Sequence, residues 1–189
     1  MKASFLKLLL ALLFVSQISF GQEKDNAAIL KVIFNKYYQN EKVIKKGRLQ
    51  LLTFYCQKAP NNEEVFEVIT KNAILQKNAL VIKKQVNDFK EENWSKEFQI
   101  LFDKENQYLK SKVNDCLSLE EYQKNSSQFN LNNQRLLIVN KPIYFSNNSF
   151  ALVKIAFYRN IEHNSGCFFL LEKRDGVWTI KETLNEWST

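Results

Sequence analysis

The chain has 189 residues, 45% of them hydrophobic, with four glycines, two prolines and a formal charge of +7. So little Gly and Pro excludes a collagen-like repeat, a Pro-rich arm and a flexible Gly-rich linker, and the apolar fraction is enough for a packed core without staples. The charge excess is modest and points to surface properties rather than to a fold.

The first segment reads as an address. Lys2 and Lys7 give a positive start, Leu8–Val15 is apolar, and Ser19 and Gly21 place small side chains three and one residues before a cut. This order predicts a secretory signal peptide over residues 1–21, cleaved between Gly21 and Gln22, and hence export to the periplasm or exterior. The apolar run falls short of the roughly 20 residues that cross a bilayer, so the mature chain is expected to have no transmembrane segment. Removing 21 residues from 189 leaves 168, which suits one domain, 22–189, and the loss of Lys2 and Lys7 lowers +7 to +5. An exported chain does not meet nucleic acid as a rule, so a basic surface there faces anionic lipid headgroups, acidic polysaccharide or an acidic protein.

From Asp25 to Lys46, Leu30, Ile33, Phe34, Tyr37 and Tyr38 recur at helical spacing, and Gly47 ends the pattern. The cluster Lys42, Lys45, Lys46 and Arg48 reads as a solvated, dipole-favoured helix end. Arg48–Cys56 fits a buried strand or another helix, and the lack of a hairpin turn signal tips the expectation to helix. Pro60-Asn61-Asn62-Glu63-Glu64 is a helix opening with an Asn cap and carboxylates near the positive dipole end. Val65, Val68, Leu75, Ala79, Ile82, Val86 and Phe89 then predict one long helix, or two in line, to about Lys90, interrupted at Asn72.

Glu91-Glu92-Asn93 reads as a turn into a further helix with Trp94, Phe98, Leu101, Phe102, Leu109 and Val113 on one face, packed antiparallel to the preceding one. Ser118 and Glu121 have capping-box spacing for a short helix after it. Residues 22–130 are thus expected to be mainly helical, and 131–189 to form a sheet.

The last third predicts a four-stranded antiparallel meander: Arg135–Phe145, Phe150–Arg159, Cys167–Arg174 and Val177–Leu184. Turns fall at Asn147-Asn148, near Asn164-Ser165-Gly166 and at Asp175-Gly176, the last a type I′ signature. Pro142, which lacks an amide donor, suits an edge or a bulge. Alternation turns Val153, Ile155, Phe157, Phe169, Leu171, Trp178 and Ile180 inward onto the helices. It leaves Lys154, Glu172 and Lys181 as a charge ladder on a wet face. The fold class is therefore α+β, with N-terminal helices on one face of the sheet.

Three cysteines, Cys56, Cys116 and Cys167, allow one disulfide in an oxidising compartment or three buried thiols, with the pairing open. The single histidine, His163, lies in a polar loop and reads as solvated. No GxSxG, HExxH, P-loop, GxGxxG or calcium-loop pattern occurs, and no cofactor or metal is expected. Glu182 falls on the side of Trp178, Ile180 and Leu184, where a carboxylate either enters a pocket or escapes at the sheet rim; the cost of burial favours the rim. Most aromatics lie on core stripes, leaving Tyr144, Tyr158 and Trp187 as candidates for a binding face. Tyr144, Tyr158 and Glu182 are the candidate ligand-binding residues.

Ser19-Phe20-Gly21-Gln22, Lys141-Pro142-Ile143-Tyr144-Phe145 and Asp175-Gly176-Val177-Trp178-Thr179-Ile180 resemble segments of small exported proteins of the Bacteroidota. The order of helices then meander, closing on Gly-x-Trp-x-Ile, is similar to that of NTF2-like proteins, which implies a cone-shaped α+β fold and carries over no activity. The expected role is an exported soluble binding or interaction module for a small apolar ligand or a protein partner. The alternatives are a hydrolase using a carboxylate or lone thiol, and an envelope-surface protein docking through the basic end at Lys42–Arg48.

Overall fold

An apolar stripe that recurs every three to four residues forces a helix against whatever buries it, and Ile29, Leu30, Ile33 and Phe34 are all completely buried. They lie on α1, the helix over residues 21–37. The computed structural model describes residues 21–37, 52–88, 90–102, 113–129, 135–160 and 162–189. Residues 1–20 of the expected signal segment 1–21, and the basic cluster 42–48, lie outside the described residues. Among the described residues no helix is long and apolar enough to cross a membrane.

After α1 come β1 (Leu52–Tyr55), α2 (Glu64–Lys71), α3 (Ala73–Lys77), α4 (Ala79–Asn87), α5 (Ser95–Leu101), β2 (Val113–Leu117) and α6 (Leu119–Phe129). The sheet continues with β3 (Leu136–Val139), β4 (Ile143–Phe145), β5 (Phe150–Tyr158), β6 (Asn164–Arg174) and β7 (Val177–Ser188). The fold is α+β with a C-terminal sheet that is mostly antiparallel, as the sequence predicts, but among the described residues the sheet has seven strands rather than four and is mixed. Its order is β2-β1-β3-β5-β6-β7, with β4 also paired to β5. The expected first meander strand is split by Lys141-Pro142: β3 pairs with the far half of β5 and β4 with its near half. Pro142 has no N–H to donate at the break.

The segment expected to be a helix at Arg48–Cys56 contains strand β1, parallel to both β2 and β3. Parallel strands are joined by long crossovers, so no hairpin turn flanks β1, and the missing turn signal pointed the wrong way. Val113, placed on a helix by periodicity, begins β2. The one long helix, or two in line, expected to about Lys90 is three short helices among the described residues, the first break falling at Asn72 as the pattern suggested. Asn72 leaves the helical region and its Oδ1 caps α3 by accepting from the backbone N–H of Ile74 and Leu75, and a second break falls at Asn78. The expected Asn cap of α2 is absent, since Glu63 occupies that position without a side-chain cap bond. The capping box does form: Glu121 Oε2 accepts from Ser118 N at 2.8 Å and Ser118 Oγ from Glu121 N at 3.2 Å.

Both faces of the sheet carry core. On one, Val153, Ile155, Phe169, Leu171 and Trp178 bury against α1 and α5, with Phe157 and Ile180 packed beside them, as alternation predicts. The other face is not the expected wet one. Val65, Val68, Ile69, Leu75 and Ile82 of α2–α4 cover Leu152, Phe168, Leu170, Ile143 and Phe145 there. Phe168-Phe169-Leu170-Leu171 is a continuous apolar run, which marks a strand buried on both sides. Lys154 accordingly pairs with Glu64 of α2 at 2.6 Å instead of joining a ladder, while Lys181 and Glu172 do meet at 3.0 Å, with Arg174 at 2.8 Å. At Glu64 burial works against ionisation, but the hydrogen bonds from Lys154 and Asn62 together with the Lys154 charge outweigh it and hold the carboxyl below its ordinary pKa.

Strand β5 ends at Tyr158 and β6 begins at Asn164, so the expected turn residues Asn164–Gly166 are already in β6. Asp175 and Gly176 have φ of 50° and 79°, the two left-handed positions a type I′ turn requires. Gly166 is needed for a different reason. A Cβ there would lie 2.5 Å from the Ile155 carbonyl oxygen and 2.7 Å from Cζ2 of Trp187. Gly166→Ala is expected to cost about 1–3 kcal/mol by overpacking, read as a lower thermal midpoint; an unchanged midpoint would show that β5, β6 and β7 slide apart freely at this point.

Candidate functional site, a buried ionic chain

The sheet edge at Tyr144 and the start of α1 enclose charged groups that a hydrophobic core would ordinarily exclude. The segment after β1 runs between Asn93 and Asn140, making isolated bridges from Gln57 to Asn93 and from Ala59 to Asn140. This places Lys58 inside, 4% exposed. Its Nζ donates to Glu97 Oε1 of α5 at 2.6 Å and to Glu92 Oε2 at 2.9 Å, and lies 5.1 Å from the centre of the Trp94 ring. Glu97 is 1% exposed, and the same Oε1 accepts from Asn26 Nδ2 of α1 at 2.8 Å. Tyr144 Oη donates to Asn26 Oδ1 at 2.7 Å. At the outer end Lys141 Nζ donates to Glu92 Oε1.

The order Lys141, Glu92, Lys58, Glu97 alternates in sign and sums to zero, which is how charges withdrawn from water are made tolerable. Despite desolvation, the ammonium groups of Lys141 and Lys58 hold the Glu92 carboxyl below its ordinary pKa. Burial, with Asp25 and Glu97 nearby, pushes the Tyr144 phenol well above its ordinary value, so it stays a neutral donor. Asp25, next to Asn26, ties α1 to the sheet: its Oδ1 accepts from Lys173 Nζ at 2.6 Å and Trp178 Nε1 at 3.0 Å.

The three sequence-predicted site residues do not come together. Tyr144 enters the ionic chain. It also sits under a side-chain cover, since Gln85 of α4 accepts from its backbone N–H at 3.1 Å and donates to its carbonyl oxygen. Tyr144 is paired with Ala151, seven residues along β5 from Tyr158, a span of about 23 Å at 3.3 Å per residue. Tyr158 is half-buried, meets the Tyr122 ring edge-on at 5.9 Å and accepts from Gln123 Nε2 at 3.2 Å. Glu182 lies on neither of their sites. A register shift between Leu170 and Leu171 puts it opposite Leu170, on the α2–α4 side, away from Trp178 and Ile180. There it is exposed at the rim and its Oε2 accepts from Asn72 Nδ2 at 2.8 Å. Trp187 packs over Gly166.

Lys58, Glu97 and Asn26 are not among the sequence-predicted site residues. The signal was present for two of them: Glu97 interrupts the Trp94, Phe98, Leu101 stripe, and Asn26 lies three and four residues before Ile29 and Leu30. A polar group on an apolar stripe is a request for a buried partner.

Cys56 and Cys116 form a disulfide with their Cα atoms 4.9 Å apart, and Cys167 is free and buried. Burial pushes the Cys167 thiol up to about 11, and Tyr37, whose Oη lies 3.9 Å from Sγ, is raised as well. We expect iodoacetamide to leave Cys167 of the native protein unmodified at pH 8 and to label it rapidly after denaturation. Fast native labelling at that pH would show a thiolate that this environment does not support. His163 is exposed, its backbone N–H donating to Asn160 Oδ1 at 2.8 Å.

No known family, curated protein or solved structure matches this chain.

Proposed function

We propose that the chain is an exported binding module without catalysis, whose ionic interior fixes the frame on which a small apolar ligand or a protein partner is bound. The observation that carries the export reading is the Cys56–Cys116 disulfide, which suits an oxidising compartment and agrees with the signal-like residues 1–21. The groups that a hydrolase would need are engaged otherwise: the Cys167 thiol is held protonated, Glu182 caps against Asn72 at an exposed rim, and Glu97 and Glu92 neutralise Lys58 and Lys141. An NTF2-like relationship draws support from α1 lying across the inner face of β5–β7 and from the closing Asp175–Ile180 hairpin.

The test is native mass spectrometry of the protein isolated from its own host. The expected species begins at Gln22, carries one disulfide and holds an additional bound mass. A chain retaining residues 1–21 in the cytoplasm with both cysteines reduced overturns export. A bare monomer, together with turnover of an ester or glycoside that is lost in Cys167→Ala or Glu182→Gln, overturns the binding reading.

A further inference from the structure

We infer that the α3–α4 corner is a docking surface for an anionic lipid bilayer. Two hydrophobic side chains face outward here: Leu80 is 86% exposed, and its neighbour Val81 49%. Helix α4 buries Ile82, so at 100° per residue Leu80 lies about 160° round the helix from it and Val81 about 100°. Lys84 follows Leu80 by one turn, Lys83 flanks it, and Lys77 ends α3 just before the break at Asn78. All three lysines are exposed and none forms an ion pair among the described residues, although Lys83 also reaches the Phe66 ring at 5.7 Å.

The stretch 69–87 contains no Asp, Glu, Arg, Phe, Tyr or Trp. That composition separates two classes of partner. Protein interfaces concentrate aromatic residues and Arg at their core and are depleted in Lys. A bilayer interface instead favours Lys: aliphatic side chains enter the acyl boundary, and lysine stems follow while their ammonium groups reach lipid phosphates. Each lysine near an anionic surface strengthens binding about fivefold. The site is built from residues of α3 and α4 and uses none of Lys42–Arg48, and the inference does not rest on export or on the absence of catalysis.

The experiment is co-sedimentation of the purified protein with phosphatidylcholine vesicles, with and without phosphatidylglycerol. Binding is expected only with phosphatidylglycerol and is expected to weaken as salt is raised. Lys77→Gln, Lys83→Gln and Lys84→Gln together should weaken it about a hundredfold, and Leu80→Ser with Val81→Ser by about tenfold or more. All five positions are exposed, so both variants should melt as the parent does, and a melting curve establishes this before binding is read. No binding to anionic vesicles overturns the inference and leaves an acidic protein as the partner for these lysines. Binding that survives both sets of substitutions also overturns it, because contact through residues 1–21 or 42–48 would behave in that way.

Discussion

Replacing Lys58 by methionine is expected to destabilise the fold by about 3–5 kcal/mol, the cost of leaving a buried charge without its partner. Glu97 is 1% exposed and, among the described residues, would keep only the neutral Asn26 amide as a donor to Oε1. That is a large share of the roughly 5–15 kcal/mol by which a domain of this size is stable. Glu97→Gln should cost less, because Lys58 retains Glu92 at 2.9 Å. The pair Lys58→Met with Glu97→Leu should recover much of the loss, since two apolar side chains of similar size remove both desolvation penalties together. Guanidinium unfolding with an unchanged slope is the measurement. A Lys58→Met cost under about 1 kcal/mol would show that water reaches Glu97 and that the chain is not sealed.

The same chain gives the acid limit its sign. Glu92 has a folded pKa below its unfolded one, so its contribution is complete above the unfolded value and is lost as pH falls through the folded value. Lys141→Gln should therefore raise the pH at which acid unfolding begins, by removing one of the two ammonium groups that hold Glu92 ionised. A midpoint that does not move would assign the acid transition to other carboxylates, such as Glu64 beside Lys154.

What the sequence made legible was whatever depends on near neighbours. The Asp175-Gly176 turn, the Ser118–Glu121 capping box and the inward face of β5–β7 each follow from residues within a few positions of one another, and each forms as read. Strand β1 did not declare itself, because its partners Val113–Leu117 and Leu136-Leu137 are about 60 and 80 residues away and parallel pairing leaves no turn between them. Glu182 was assigned to the wrong face for a related reason: one extra residue in β7 inverts every alternation beyond it. The ionic chain is the clearest case. Asn26, Lys58, Glu92 with Glu97, and Lys141 with Tyr144 come from four separate stretches, and only the polar interruption of two apolar stripes hinted that such partners existed.

Removing the disulfide, by Cys56→Ser with Cys116→Ser, is expected to cost about 4 kcal/mol from the loop of 60 residues it closes. The loss should be uneven. Among the described residues β2 meets the sheet only through β1, and β1 through β2 and β3, so this edge depends there on parallel pairings rather than on a hairpin. The β5–β6–β7 hairpins close over short turns and have core on both faces. Hydrogen exchange should accelerate first at Phe54 and Leu117, with amides of Leu152 and Phe169 following only at global unfolding. The expected loss exceeds that from any single truncated aliphatic side chain at the rim, and a reducing compartment would impose it on every molecule. If the double variant instead keeps its unfolding midpoint, and exchange at β1 and β2 stays as slow as in β5, then Phe54, Trp94 and Leu137 alone hold this edge. The cysteine pair would then lose its force as an argument for an oxidising destination.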